Sequence, residues 1–148
     1  MSAGGSHRPA HLRPAMVGWV FLGGAVGSLF RGMLATFAPT VPGQWPWATL
    51  TVNLTGALLL GALLEGLSVL NLPGRLRAPL QLGLGTGLLG GYTTYSTFAV
   101  DALTMSGVNG PWPALAYVFS TVVGGFLAAF CATIAVRSLT TQRRGRKL

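Results

Sequence analysis

The sequence predicts an all-α integral membrane protein with four transmembrane helices, and three observations predict it. Of 148 residues, 51% are hydrophobic and 8% charged, where soluble domains carry about 25% charged residues. The apolar residues gather into four long runs, and the basic residues stand between those runs or at the chain ends. Four spans of about 20 residues fit this length and leave short loops, two tails and no room for a separate catalytic domain. The 22 glycines and 9 prolines are interleaved with Leu, Val and Ala that can be buried, so disorder is expected only at the ends. Cys131 is the one cysteine, which excludes an internal disulfide and a two-cysteine metal knuckle.

Residues 1–14, with His7 and His11 and no apolar period, are expected as a disordered basic lead to a four-helix transmembrane domain over 15–138. Residues 16–37 are apolar apart from Ser28, Arg31 and Thr36, long enough to cross ~30 Å at about 1.5 Å per residue. A secretory signal would have a shorter apolar core and a small-residue cleavage site, so cleavage is not expected. Pro39, Pro42, Gly43 and Pro46 then make a turn, with Trp45 and Trp47 where indole rings favour the interface. The second span, 47–70, carries Glu65 near its end and stops at residues 71–74, followed by Arg75 and Arg77. The third span, 76–105, is expected to break in its middle. After a turn containing Trp112, the fourth, 114–136, carries Tyr117, Ser120 and Thr121, and residues 139–148 form a basic tail.

The net charge of +8 raises nucleic acid as a partner, but the placement of the charge answers otherwise. Arg8 and Arg13 precede the first run, Arg75 and Arg77 separate the second and third, and Arg137, Arg143, Arg144, Arg146 and Lys147 follow the fourth. Only Arg31 lies elsewhere. With four crossings those nine residues share one side, which the positive-inside rule makes cytoplasmic, so both termini are expected on the cytoplasmic face of a bacterial-type plasma (inner) membrane. The tail either touches anionic headgroups or is a solvated end.

Two motif matches are accidents of composition. Residues 85–90 spell G-x-G-x-x-G without the preceding strand or following acid that dinucleotide binding requires, and residues 53–55 spell a glycosylation acceptor inside a span. Gly23 and Gly27 fit close packing between membrane helices, and the glycines of 83–91 can do the same.

Asn53 is different, because an amide within an apolar span must find a partner or line a wet path. Thr49, Asn53 and Gly56 share one helical face, so the polar stripe is directional. Residues 92–98 hold four Ser or Thr hydroxyls, tyrosine and phenylalanine after the Gly90-Gly91 pair, a poor membrane helix. Where a span unwinds, its freed backbone groups must be buried in protein or line a cavity. The chemistry on offer is rich in donors and free of fixed charge: the Asn53 amide, the hydroxyls of Ser96, Thr97, Ser120 and Thr121, and the positive edges of aromatic rings. Such donors suit a small anion in transit, since conduction needs sites weak enough to leave. Asp101 and Arg31 either pair, flank an entrance, or are each partly solvated interfacial residues.

Residues 23–31 (GGAVGSLFR), 49–56 (TLTVNLTG) and 90–98 (GGYTTYSTF) make the chain resemble the Fluc/CrcB family of fluoride channels, four-span proteins that work as antiparallel dual-topology dimers. The resemblance covers about residues 18–136. It implies a passive, fluoride-selective channel that exports F⁻ from the cytoplasm. It places Asn53 on the ion path, Tyr95 and Phe98 as aromatics facing the ion, Ser96 and Thr97 as hydroxyl donors, and Thr121, with Ser120 adjacent, on a polar track. It further implies a structural Na⁺ at the dimer centre, held by the backbone carbonyls of Gly90 and Thr93 from both protomers. Tyr95 stands where phenylalanine is common and Asp101 where glutamate is. Nine basic residues against one bias the insertion, so the partner is expected to be either an antiparallel copy of the chain or an oppositely oriented homologue.

Two other readings compete. A four-span drug/proton antiporter needs a membrane-embedded glutamate in the first span, which holds none. A noncatalytic membrane scaffold would use the same polar groups only as glue. An enzyme is not expected, because both histidines lie in the lead and no carboxylate pair is present.

Overall fold

The computed structural model describes residues 14–70 and 72–145, apart from the side chains at 141 and 143–145. The expected lead lies outside the described residues except for Pro14, as do the last three residues of the tail. Among the described residues every regular element is helical. Three helices are long and apolar enough to cross a membrane: α1 (Pro14–Phe37), α2 (Trp47–Val69), and the Pro111–Thr140 part of α6 (Pro111–Gly145).

The third expected span is instead a composite. It begins as α3 (Gly74–Leu80), widens into a π-helical stretch, Gln81–Leu89, and tightens into the short α4 (Gly90–Tyr92). Residues 93–95 are not helical, and α5 (Ser96–Asn109) resumes beyond them. Pro79 lies inside α3 and has no N–H to continue the α ladder. The glycines at 83, 85 and 87 then present no side chains to resist wider turns. Gly110 closes α5 at φ +84°, donating its N–H to the Ser106 carbonyl at 3.1 Å, the left-handed helix stop that glycine adopts without strain. Pro111 then opens α6 at a first-turn position where its missing N–H costs nothing. That helix overshoots the expected end at 136 and runs to Gly145, because nothing between those positions breaks it. The basic stretch is thus partly helix.

The two most extensive packings pair α1 with the π-helical stretch and α2 with α6. Both are parallel. Gly83 lies against Trp19, and Gly91 against Gly24, so α1 and the third segment rise together. Gly61 meets Ala129, and Glu65 accepts a hydrogen bond from Arg137 at 2.9 Å, so α2 and α6 run together. The glycines set the closeness of these pairs: a Cβ on Gly87 would sit 2.7 Å from the Val20 carbonyl oxygen, and one on Gly91 2.5 Å from that of Gly24. This backbone-to-backbone approach is how membrane helices gain van der Waals contact when lipid is as apolar as leucine.

The exterior matches that solvent. Only 6% of the most apolar part of α1 and 11% of that of α6 is buried within the described residues, leaving side chains such as Phe21, Phe119 and Phe126 outward. An apolar surface of this extent belongs in hydrocarbon; the chain is a membrane protein. The small internal core of Leu50, Met105, Ala114 and Tyr117 sits where α2, α5 and α6 meet, beside the interruption at 93–95.

Candidate functional site

The interruption is held open by α2. Asn53 donates from Nδ2 to the Thr94 carbonyl oxygen at 3.0 Å and accepts the Thr94 N–H on Oδ1 at 2.9 Å. One side-chain amide therefore satisfies both polar groups of one unwound residue, leaving its second N–H as a further donor. Thr94 Oγ1 accepts the N–H of Thr97 at 3.1 Å and donates to Thr97 Oγ1 at 3.0 Å, a side-chain cap on the first turn of α5. Ser96 Oγ lies 3.3 Å from Thr94 Oγ1 and donates to it, since the single Thr94 proton is already engaged. Tyr92 is tied to α2 in the same way: its hydroxyl lies 3.0 Å from Thr55 Oγ1, whose own proton goes to the Thr51 carbonyl.

These bonds redirect the backbone. In a continuous α-helix the Gly90 carbonyl would accept from Thr94 N–H and the Thr93 carbonyl from Thr97 N–H. Here the first donor goes to Asn53 and the second to Thr94 Oγ1, while ψ 160° at Thr93 turns its carbonyl out of the helical direction. The two carbonyls assigned to Na⁺ are thus deprived of their helical donors, and both residues line one cavity. Among the described residues no cluster of three His, Cys, Asp or Glu could hold a metal. A carbonyl-only site suits a weakly held hard cation, so the residues fit.

That cavity, of about 460 Å³, brings together Asn53, Gly90, Thr93, Thr94, Tyr95, Phe98 and Thr121. Among the described residues no acidic, basic or histidine side chain lines it. Tyr95 is 82% exposed at its rim and tilts against Phe98 with ring centroids 6.0 Å apart. Phe98 continues to Tyr117 at 5.4 Å, and Tyr117 meets Trp45 edge-on at 5.9 Å. Among the described residues the buried Tyr117 hydroxyl and Trp45 indole N–H find no hydrogen-bond partner, although Thr49, Asp101 and Thr121 neighbour the former.

The remaining expected residues fall elsewhere. Thr97 lines a smaller cavity, about 80 Å³, with Arg31, Thr49 and Thr94. Ser96 is exposed beside the break. Ser120 lines neither cavity and donates to the Ala116 carbonyl at 2.6 Å. Thr121 lines the larger cavity but donates its proton to the Tyr117 carbonyl at 2.8 Å, so in this conformation it offers an acceptor. Arg31 and Asp101 do not pair: the Asp101 carboxylate is buried and accepts the Thr49 hydroxyl at 2.6 Å, while Arg31 lines the small cavity.

The polar stripe read from the sequence on α2 meets the third segment at every step. Thr49 bonds Asp101, Asn53 clasps Thr94, and Gly56 leaves room for the Thr93 side chain. Sequence reasoning missed Thr94, the residue on which most of these bonds converge. Its signal was present, a threonine three positions before the N–H it caps.

Fold and site together define a small helical membrane protein with an uncharged, largely apolar groove that carries a few polar groups at an interrupted helix. Residues 18–133 match the family model described as "CrcB-like protein, Camphor Resistance (CrcB)", and the chain belongs to that family. It is 41% identical to the fluoride-specific ion channel FluC 1 of Cutibacterium acnes over 88% of this chain and 92% of that protein. To the fluoride-specific ion channel FluC 2 of Moorella thermoacetica it is 44% identical over 82% and 98%. To FluC 1 of Mycolicibacterium paratuberculosis it is 42% identical over 84% and 92%.

Proposed function

We propose that this chain forms a passive fluoride channel that lets F⁻ leave the cytoplasm down its electrochemical gradient. The observation that carries the reading is the Asn53 clasp on Thr94, which keeps a helix unwound beside an uncharged cavity. Family membership supports fluoride as the ion, and the relatives named fluoride-specific ion channels span nearly the same length. Anions collect at the small cavity beside the Arg31 guanidinium and the Thr97 hydroxyl. They pass to the groove where the free Asn53 N–H and the edges of Tyr95 and Phe98 replace water. With no lysine or arginine in that groove, the ion is not trapped. Rotation of the Ser96 and Thr121 hydroxyls away from their present acceptors supplies further donors as the ion arrives, with Ser120 adjacent. The drug/proton antiporter and scaffold readings draw no support from the family.

In this reading the composite third segment is the fourth crossing, its interruption lies near mid-bilayer, and an antiparallel second chain covers the exposed Tyr95 ring. Na⁺ at the seam between the chains would be held by the Gly90 and Thr93 carbonyls and would fix the two interruptions against each other. Both termini lie on the cytoplasmic side of the inner membrane, following the nine-to-one basic bias. That bias favours one orientation, and hence an oppositely inserted homologue as partner unless the chain overrides it. Fluoride-electrode efflux from liposomes holding only the purified chain tests function and self-sufficiency together. Efflux supports a homodimeric channel. Efflux that appears only when an oppositely oriented homologue is added supports the paired form, and none in either case refutes the channel.

A further inference from the structure

We propose that the groove between α1 and the third segment is a binding site for an anionic phospholipid, one acyl chain lying in the groove and the phosphate resting on Arg75 and Arg77. The groove, about 580 Å³, is walled by Trp19, Leu22 and Val26 on one side and Leu76, Leu80 and Leu84 on the other. The least exposed of these six, Leu80, is still 38% exposed, so nothing among the described residues covers them. Its floor contains Gly23 and Gly83. Where these two meet, the helices touch through backbone, and the large side chains on either flank leave a furrow between them.

Charge identifies the occupant. At about 100° per residue, Arg75 and Arg77 stand on opposite flanks of Leu76, Arg75 on the side of Pro79 and Arg77 on that of Leu80, and Leu76, Pro79 and Leu80 all line the groove. Helical side chains lean toward the N-terminus, so both guanidinium groups extend toward the end of the groove that Leu72 lines, at headgroup level, while their stems cover apolar surface. The chain has two acidic residues in all. Glu65 is bonded to Arg137 and Asp101 to Thr49, so no acidic side chain serves Arg75 or Arg77, and their counter-charge comes from outside. A zwitterionic headgroup would bring its own cation against the guanidinium pair; an anionic one would not. Because α2 and α6 run parallel and α3 begins just after α2 ends, the basic end of the groove is also the end at which α6 carries its arginines. The inference rests on membrane residence and not on fluoride conduction.

Native mass spectrometry of the full chain released from bilayers of equimolar phosphatidylglycerol and phosphatidylcholine tests it. Each arginine near the headgroups contributes about a fivefold preference, so the wild type retains phosphatidylglycerol over phosphatidylcholine by about thirtyfold. Arg75→Gln with Arg77→Gln brings the ratio toward one. Leu84→Trp, which fills the groove, lowers retention of both lipids with the oligomer mass unchanged. Equal retention by the wild type overturns the proposal, as does a preference that survives the double arginine change. Lipid retention undiminished by Leu84→Trp would reduce the site to surface charge and overturn the groove. Chains carrying Leu84→Cys in a Cys131→Ser background that crosslink to each other would place a second copy there and overturn the lipid site equally.

Discussion

Replacing Asn53 with alanine removes two hydrogen bonds at once, the 3.0 Å donation to the Thr94 carbonyl and the 2.9 Å acceptance from its N–H. Each bond contributes about 1 kcal/mol net, so the clasped geometry loses about 2 kcal/mol, or roughly thirtyfold in its population relative to a relaxed helix. The loss concentrates at the break, because the freed Thr94 N–H can return to the Gly90 carbonyl and rewind the segment. Fluoride efflux from liposomes, at matched protein and with the oligomer checked by size exclusion, is therefore expected to fall, this shift alone accounting for up to about thirtyfold. Asn53→Asp sharpens the test. It keeps an acceptor for the Thr94 N–H but loses the donor and sets a negative charge beside both the Thr94 carbonyl and the passing anion, so its efflux is expected to be no better than that of alanine. An alanine variant that assembles and conducts like the wild type would refute the clasp as the element that holds the path open.

Three other expectations follow from the same geometry. Gly87→Ala drives a Cβ to 2.7 Å from the Val20 carbonyl, whereas Gly32→Ala meets nothing within 4 Å; the first is expected to destabilise by about 1–3 kcal/mol in thermal unfolding in detergent, the second to be neutral. Thr49→Val takes the hydroxyl from the buried Asp101 carboxylate, a loss of about 1.5–3 kcal/mol that lowers the same unfolding midpoint and that Thr49→Ser restores. Arg137→Gln breaks the 2.9 Å pair with Glu65, whose side chain is only 11% exposed, so stability is expected to fall by about 1–3 kcal/mol, the cost of leaving a largely buried acceptor without its donor, with efflux unchanged.

The membrane character of this chain was decided by composition, because burial in hydrocarbon depends on how many apolar residues follow one another and not on what they touch. The directional stripe Thr49, Asn53, Gly56 was equally legible, since helical periodicity alone puts those positions on one face. So was the weakness of residues 92–98 as helix, which follows from local hydroxyl and glycine chemistry. Tertiary structure decided what these features meet. That Asn53 clasps the Thr94 peptide, and that Asp101 takes Thr49 and leaves Arg31 to another cavity, are matters of separation across 41 and 52 positions. The π-helical path of residues 81–89 was likewise beyond pattern reading, because glycine permits wide and narrow turns alike and only the close backbone of α1 selects between them. A hydrogen bond requires two groups within about 3 Å; sequence reveals which groups are available, and only the packed helices bring particular pairs within reach.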